Sequence, residues 1–200
     1  MKTNLAGIEL IKAYEGLRTT AYVDPVGKLT IGYGTTNDAG VGTITKGMKI
    51  TPQRAVEMLV ASLPKYEAGV LRALKRVPNE NQFSAMVSFA YNIGETAFAG
   101  SSVARLFNAG NVAGAADAFR LWNKGTIDGK KVVLPGLVTR REAERKLFLA
   151  ASSADVGIEP AKPETPPVTV PVAGKGIAAA VMAIAAAVAA VVAYFWEKLT

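Results

Sequence analysis

The sequence predicts an α+β fold, mostly helical, with a small antiparallel β-sheet near the N-terminus and a hydrophobic helix at the C-terminus. Three observations carry this expectation. Apolar residues recur at helical spacing through most of residues 1–150. Residues 21–44 break that period with short β-branched and aromatic runs punctuated by Pro and Gly. Finally, Ile177 to Trp196 runs for twenty residues without a charge.

Leu5, Ile8, Ile11 and Lys12 predict a helix to about Tyr14, with Thr3 or Asn4 as cap and Gly16 as terminator. Glu9, Lys12 and Glu15 interrupt this stretch, so it does not read as a secretory signal. Ala21-Tyr22-Val23, Asp24 to Gly27 and Leu29 to Tyr33 read as strand, turn and strand, with a third short strand expected near Val41–Ile44. Thr51-Pro52 opens a long helix, which Pro64 is expected to kink or divide before it resumes to about Leu74. Further helices are predicted over Gln82–Ile93, Ser101 or Ser102 to Ala109, and Val112–Leu121. A Gly-rich loop, NKGTIDGKKVVLPG, precedes a last helix from Leu137 to Ala150.

Composition narrows the chemistry. The chain of 200 residues has neither cysteine nor histidine. No thiol nucleophile or thiolate metal site is available, and the usual neutral-pH general base is missing. Acid–base work must fall to carboxylates, tyrosine or lysine. The net charge is +7, and it is concentrated in residues 1–154, where 20 Lys and Arg face 12 Asp and Glu. Such a basic part favours polyanionic partners: nucleic acid, anionic lipid or an acidic wall polymer.

Two carboxyl groups suffice to hydrolyse a glycosidic bond, one protonating the leaving oxygen and the other acting opposite it. They need rigid supports and different environments. Glu15 at a helix end and Asp24 on the adjoining turn meet that demand, and Thr30 on the next strand can position water. Read singly, each has an ordinary alternative: a solvated helix-end acid and a turn residue before Pro25.

The ordered blocks Glu15-Gly16-Leu17-Arg18, Tyr22-Val23-Asp24 and Thr30-Ile31-Gly32-Tyr33-Gly34 resemble the phage-type lysozymes, glycoside hydrolase family 24. The likeness continues through SFAYNIGETAFAGSS and LPGLVTRREAERKLF and covers roughly residues 5–150. It implies a lysozyme-like fold and a monomeric endolysin cutting the β-1,4 bond between N-acetylmuramic acid and N-acetylglucosamine in peptidoglycan. It needs no metal or other cofactor and has no nucleic-acid partner. Carried over by position, Glu15 is the catalytic acid, Asp24 the second carboxylate and Thr30 the water-placing residue. Asn92 lines the substrate, and Gly32 lets sugar approach the backbone. Arg140 or Arg141 pairs with Glu15; the competing view of that helix is a solvated basic face. Thr35 stands where many relatives have His. Two other functions compete: a lytic transglycosylase, which can work with one Glu, and a non-catalytic wall-binding membrane protein that regulates lysis. The set Glu15, Asp24 and Thr30 argues against both.

The domain expected over residues 1–154 gives way to a proline-rich linker, 155–175, and a candidate transmembrane helix, 176–197. Five of the ten prolines fall at positions 160, 163, 166, 167 and 171. Twenty helical residues reach about 30 Å, one hydrocarbon thickness. The seven Ile, Val and Phe residues of 177–196 contribute about −2 to −4 kcal/mol to insertion, and Tyr194, Phe195 and Trp196 suit an interface. The expectation is a tail anchor in the host inner membrane, with the domain first in the cytoplasm. A holin would then bring it to the periplasmic wall.

Overall fold

The computed structural model describes residues 1–24, 27–127 and 129–151. The elements run α1 (Leu5–Glu15), β1 (Arg18–Val23), β2 (Leu29–Gly32), β3 (Thr35–Thr36), α2 (Pro52–Ala73), α3 (Glu80–Ile93), α4 (Glu95–Ala99), α5 (Ser102–Asn108), α6 (Val112–Ala118), β4 (Lys124–Ile127), β5 (Lys130–Val133) and α7 (Pro135–Leu149). This is the mostly helical α+β fold expected.

Local chemistry accounts for the helix starts. Asn4, Thr51, Asn79, Ser101 and Asn111 each accept a backbone N–H from the first turn of the helix that follows, satisfying one otherwise orphaned donor. Asn79 and Gln82 form a reciprocal capping box. Helix α3 is buried without a break from Phe83 to Ala90, so it is the central element, with α1, α2, α4 and α7 packed around it. Its Phe89 meets Phe98, Phe119 and Trp122 at ring separations of 5.1–6.2 Å, and Phe148 of α7 meets Phe107 edge-on and Phe119 at a tilt. Edge and tilted ring pairs of this kind contribute about 0.5–1.5 kcal/mol each beyond their burial.

The sheet order is β1-β2-β3, all antiparallel, with Tyr22 opposite Thr30 and Ile31 opposite Thr35. A small second cluster of Ile31, Ile44 and Met58 lies between this sheet and α2. Three expectations need correcting. The third strand is Thr35–Thr36 and not Val41–Ile44: the Asn37 side chain accepts from the Ile44 amide at 2.6 Å and donates to its carbonyl at 3.3 Å, doing what a strand partner would do. Helix α2 is not divided at Pro64. Pro64 and Val60, whose carbonyl loses its helical partner to the proline, both face solvent, where water can replace the missing bond. The stretch read as a Gly-rich loop contains the hairpin β4–β5, with Ile127 opposite Lys130 around the dipeptide Asp128-Gly129. Asp-Gly between two strands is itself a strong turn signal. Helix α4, not among the helices predicted from the sequence, follows Gly94 directly as a separate short helix.

Among the described residues no helix is long and apolar enough to cross a membrane. The linker and the apolar run 177–196 lie outside the described residues.

Candidate active site

Glu15 is the last residue of α1. Gly16 ends the helix with φ 69°, its amide bonding the Lys12 carbonyl at 3.2 Å. The Glu15 carboxyl is held from the far end of the chain, where Arg140 Nη1 donates to Oε1 at 2.8 Å. Arg140 is buried, and its guanidinium sits 5.8 Å from the Tyr14 ring centre. Tyr14 Oη in turn donates to the Thr139 carbonyl at 3.1 Å, tying α1 to α7. Of the two candidate arginines, Arg140 is therefore the partner of Glu15.

Arg141 points elsewhere. Its Nη2 donates to Asn92 Oδ1 at 2.9 Å, and its guanidinium lies 4.7 Å from the Phe89 ring centre. Arg140, Arg141 and Glu144 are all buried, which decides against the competing view of these arginines as part of a solvated basic face. The i,i+3 and i,i+4 spacing is the same for a surface ladder and a buried one, so only packing decides between them.

Asp24 closes the β1–β2 turn. Its amide donates to the Lys28 carbonyl at 2.9 Å, and its Oδ1 accepts from the Lys28 amide at 2.8 Å. Its Oδ2 faces the Thr30 hydroxyl at 3.4 Å, and that hydroxyl also lies 3.2 Å from the Lys28 carbonyl. Thr30 is buried on β2 opposite Tyr22. One carboxyl thus hangs from a helix end and the other from the hairpin that follows it, with Thr30 beside the second.

The two glycines of the β2–β3 connection differ. Gly32, expected to face sugar, is buried with φ 67°, and a Cβ there would meet Ala55 of α2 at 3.3 Å. Its missing side chain lets strand and helix pack closely. Gly34, which was not singled out from the sequence, has φ 83°, and a Cβ there would come within 3.3 Å of Glu15 Oε2 and 3.7 Å of Tyr91 Oη. Tyr91 Oη donates to the Tyr33 carbonyl at 2.7 Å, fixing this turn over α3. Burial, followed by the negative charge of Glu15, pushes the Tyr91 phenol well above its ordinary range. The one sequence signal available was its place as the second glycine of the T-I-G-x-G block.

A helix end carrying one acid, followed by a hairpin carrying another, supplies the two carboxyl groups that glycoside hydrolysis needs. Comparison with known proteins gives the family. The pattern described as phage lysozyme matches residues 12–144. The endolysin of Salmonella phage P22 is 42% identical over 151 residues, 75% of this chain and 99% of that protein. The SAR-endolysin of Pseudomonas phage phiKMV is 40% identical over 148 residues, covering 74% of this chain and 89% of that one. The solved endolysin of Escherichia coli O157:H7 phage FAHEc1 superposes with a TM-score of 0.67 at 41% identity, covering 74% and 94% of the two chains. The chain belongs to the phage lysozyme family. It is a lysis endolysin, a muramidase-type glycoside hydrolase acting on the β-1,4 bond between N-acetylmuramic acid and N-acetylglucosamine of peptidoglycan.

Proposed function

We propose that Glu15 is the proton donor and Asp24 the opposing carboxylate of this hydrolysis. The observation that carries the reading is the buried Arg140 bond to Glu15 Oε1, which fixes the carboxyl of a residue that would otherwise swing from a helix end. Glu15 gives its proton to the glycosidic oxygen as the bond to the muramic acid C1 breaks. Asp24, ionised, steadies the positive charge that develops on the sugar ring and, with Thr30, places the incoming water. Asn92, oriented by Arg141, contacts the glycan. Gly34 keeps the space next to Glu15 Oε2 free of side chain.

Wall clearance by purified variants tests this. Glu15→Gln should abolish activity, since an amide cannot donate the proton, and Asp24→Asn should cripple it with an unchanged circular dichroism spectrum. Near wild-type clearance by Glu15→Gln would sink the mechanism. Muropeptides with reducing ends are expected; anhydro ends would mean a transglycosylase.

The apolar run 177–196 serves, in this reading, as a tail anchor that holds the enzyme at the inner membrane with its domain first in the cytoplasm. A pore of the holin type then admits it to the wall. The uncharged length of the run supports this, as does the likeness to a relative named a SAR-endolysin. Full-length protein should pellet with membranes through a high-salt wash, and a chain ending at Ala154 should stay in the supernatant. Equal partitioning of the two would refute the anchor.

A further inference from the structure

Glu144 takes no part in the chemistry above, yet it is wholly buried between α3 and α7. Its described contacts are with donors. Ser88 Oγ, Arg140 Nε and Arg141 Nη2 reach Oε1 at 2.9, 3.1 and 3.2 Å. Arg141 Nε lies 2.9 Å from Oε2, an ion pair too bent for a hydrogen bond. Oε1 thus meets three donors and Oε2 faces a fourth nitrogen as an ion pair, surroundings that suit the carboxylate. Burial pushes its carboxyl up and the Arg141 guanidinium down to about 10, which still leaves Arg141 a cation at neutral pH.

Both guanidiniums reach onward from this point. Arg140 ends on Glu15 and Arg141 on Asn92, at 2.8 and 2.9 Å. A lone guanidinium next to a carboxyl favours the carboxylate, which opposes the task of a proton donor. A guanidinium already neutralised from behind can orient the same carboxyl with less of that bias. Resting on the reading of Glu15 as the acid, we propose that Glu144 is a positioning residue: it holds Arg140 and Arg141 in place and offsets their charge, so that Glu15 is oriented without standing beside two uncompensated cations.

The surrounding groups leave this role to Glu144. On α1, Lys12 is paired with Glu9 and Tyr14 carries only a phenol. From α2 and α3 the titratable groups sensing Glu15 are Tyr66 and Tyr91, both pushed up, burial first, and so neutral in the working range. Tyr33 presents its carbonyl to Tyr91. On α7, Arg145 is turned away to Asp117 at 3.0 Å. A purely structural clasp between α3 and α7 would also bury such a triad, and its loss would cost stability. It would not move the pH dependence of catalysis.

The experiment compares pH profiles of wall clearance for the wild type, Glu144→Gln and the double variant Arg141→Gln/Glu144→Gln, each checked for folding by circular dichroism. In Glu144→Gln the alkaline limb should move to lower pH by about one unit or more. In the double variant, which loses one cation with the anion, it should return most of the way. An unshifted limb in folded Glu144→Gln overturns the proposal, and so does an equal shift in both variants, which would trace the effect to packing. If Glu144→Gln does not fold, the carboxyl 13C signal of Glu144 in the wild type decides: ionised at neutral pH supports the proposal, protonated overturns it. The underlying reading fails separately, by activity in Glu15→Gln. An inactive Glu15→Gln with an unshifted Glu144→Gln rejects this proposal alone.

Discussion

Glu67 on α2 holds the start of α1, the helix that carries Glu15, and its removal can be worked through quantitatively. Oε1 accepts from the Thr3 amide at 2.8 Å and the Thr3 hydroxyl at 2.9 Å, and Lys2 Nζ lies 3.2 Å from Oε2. Burial alone would push this carboxyl up. The bonds from Thr3 and the Lys2 ammonium outweigh burial and hold it below its usual range. Glu67→Gln keeps the shape and an acceptor oxygen but removes the charge. Hydrogen bonds to charged groups contribute about 1.5–3 kcal/mol and are roughly twice as strong as neutral ones. The two Thr3 bonds share one oxygen, so they do not add in full, and the exposed Lys2 contributes ~0–1 kcal/mol. The expected loss at neutral pH is about 1.5–2.5 kcal/mol, or roughly 3–10 °C in Tm for a domain of this size.

The pH dependence has a definite sign. The folded pKa lies below the unfolded value of about 4.3, so this stability is present above that value and is lost as pH falls through the folded pKa. Thermal melts followed by circular dichroism should show the full gap between wild type and variant at neutral pH. The gap should close as pH is lowered toward about 2. A gap of equal size at both ends would refute the reasoning, because the charge of Glu67 would then not be the source of the effect.

Two further outcomes follow from the β2–β3 connection. Gly34→Ala places a methyl against Glu15 Oε2 at a positive φ, so clearance should fall by tenfold or more, with a stability loss of about 1–2 kcal/mol from backbone strain; wild-type turnover in this variant would show that the space is not needed. Tyr91 has a folded pKa raised above the unfolded value near 10, so its stability is present below about pH 10 and is lost as pH rises further, with a slope approaching about 1.4 kcal/mol per pH unit. Urea melts from neutral to alkaline pH should give a shallower decline for Tyr91→Phe than for the wild type, and equal declines would remove Tyr91 as the cause.

What the sequence determined by itself is short-range. Caps such as Asn4 and Thr51, the apolar period of α3 and the turn holding Asp24 depend on groups within a few residues of one another, so their physics is written in order along the chain. The β4–β5 hairpin is equally local, but its stretch reads as a Gly-rich loop in the sequence, because its glycines outweigh the short strand runs. The blocks around Glu15, Asp24 and Thr30 were legible as family motifs. Tertiary structure decided the rest. Adjacent residues on a helix point about 100° apart, so the placement of α7 against α1 and α3 sends Arg140 to Glu15 and Arg141 to Asn92. The same placement buries Glu144 between them, where its charge matters most because water is excluded. A strand packed on α2 gives Gly32 to Ala55 and leaves Gly34 facing the acid. These contacts join residues as many as 125 positions apart, and no local pattern encodes which side of a helix its distant neighbour will occupy.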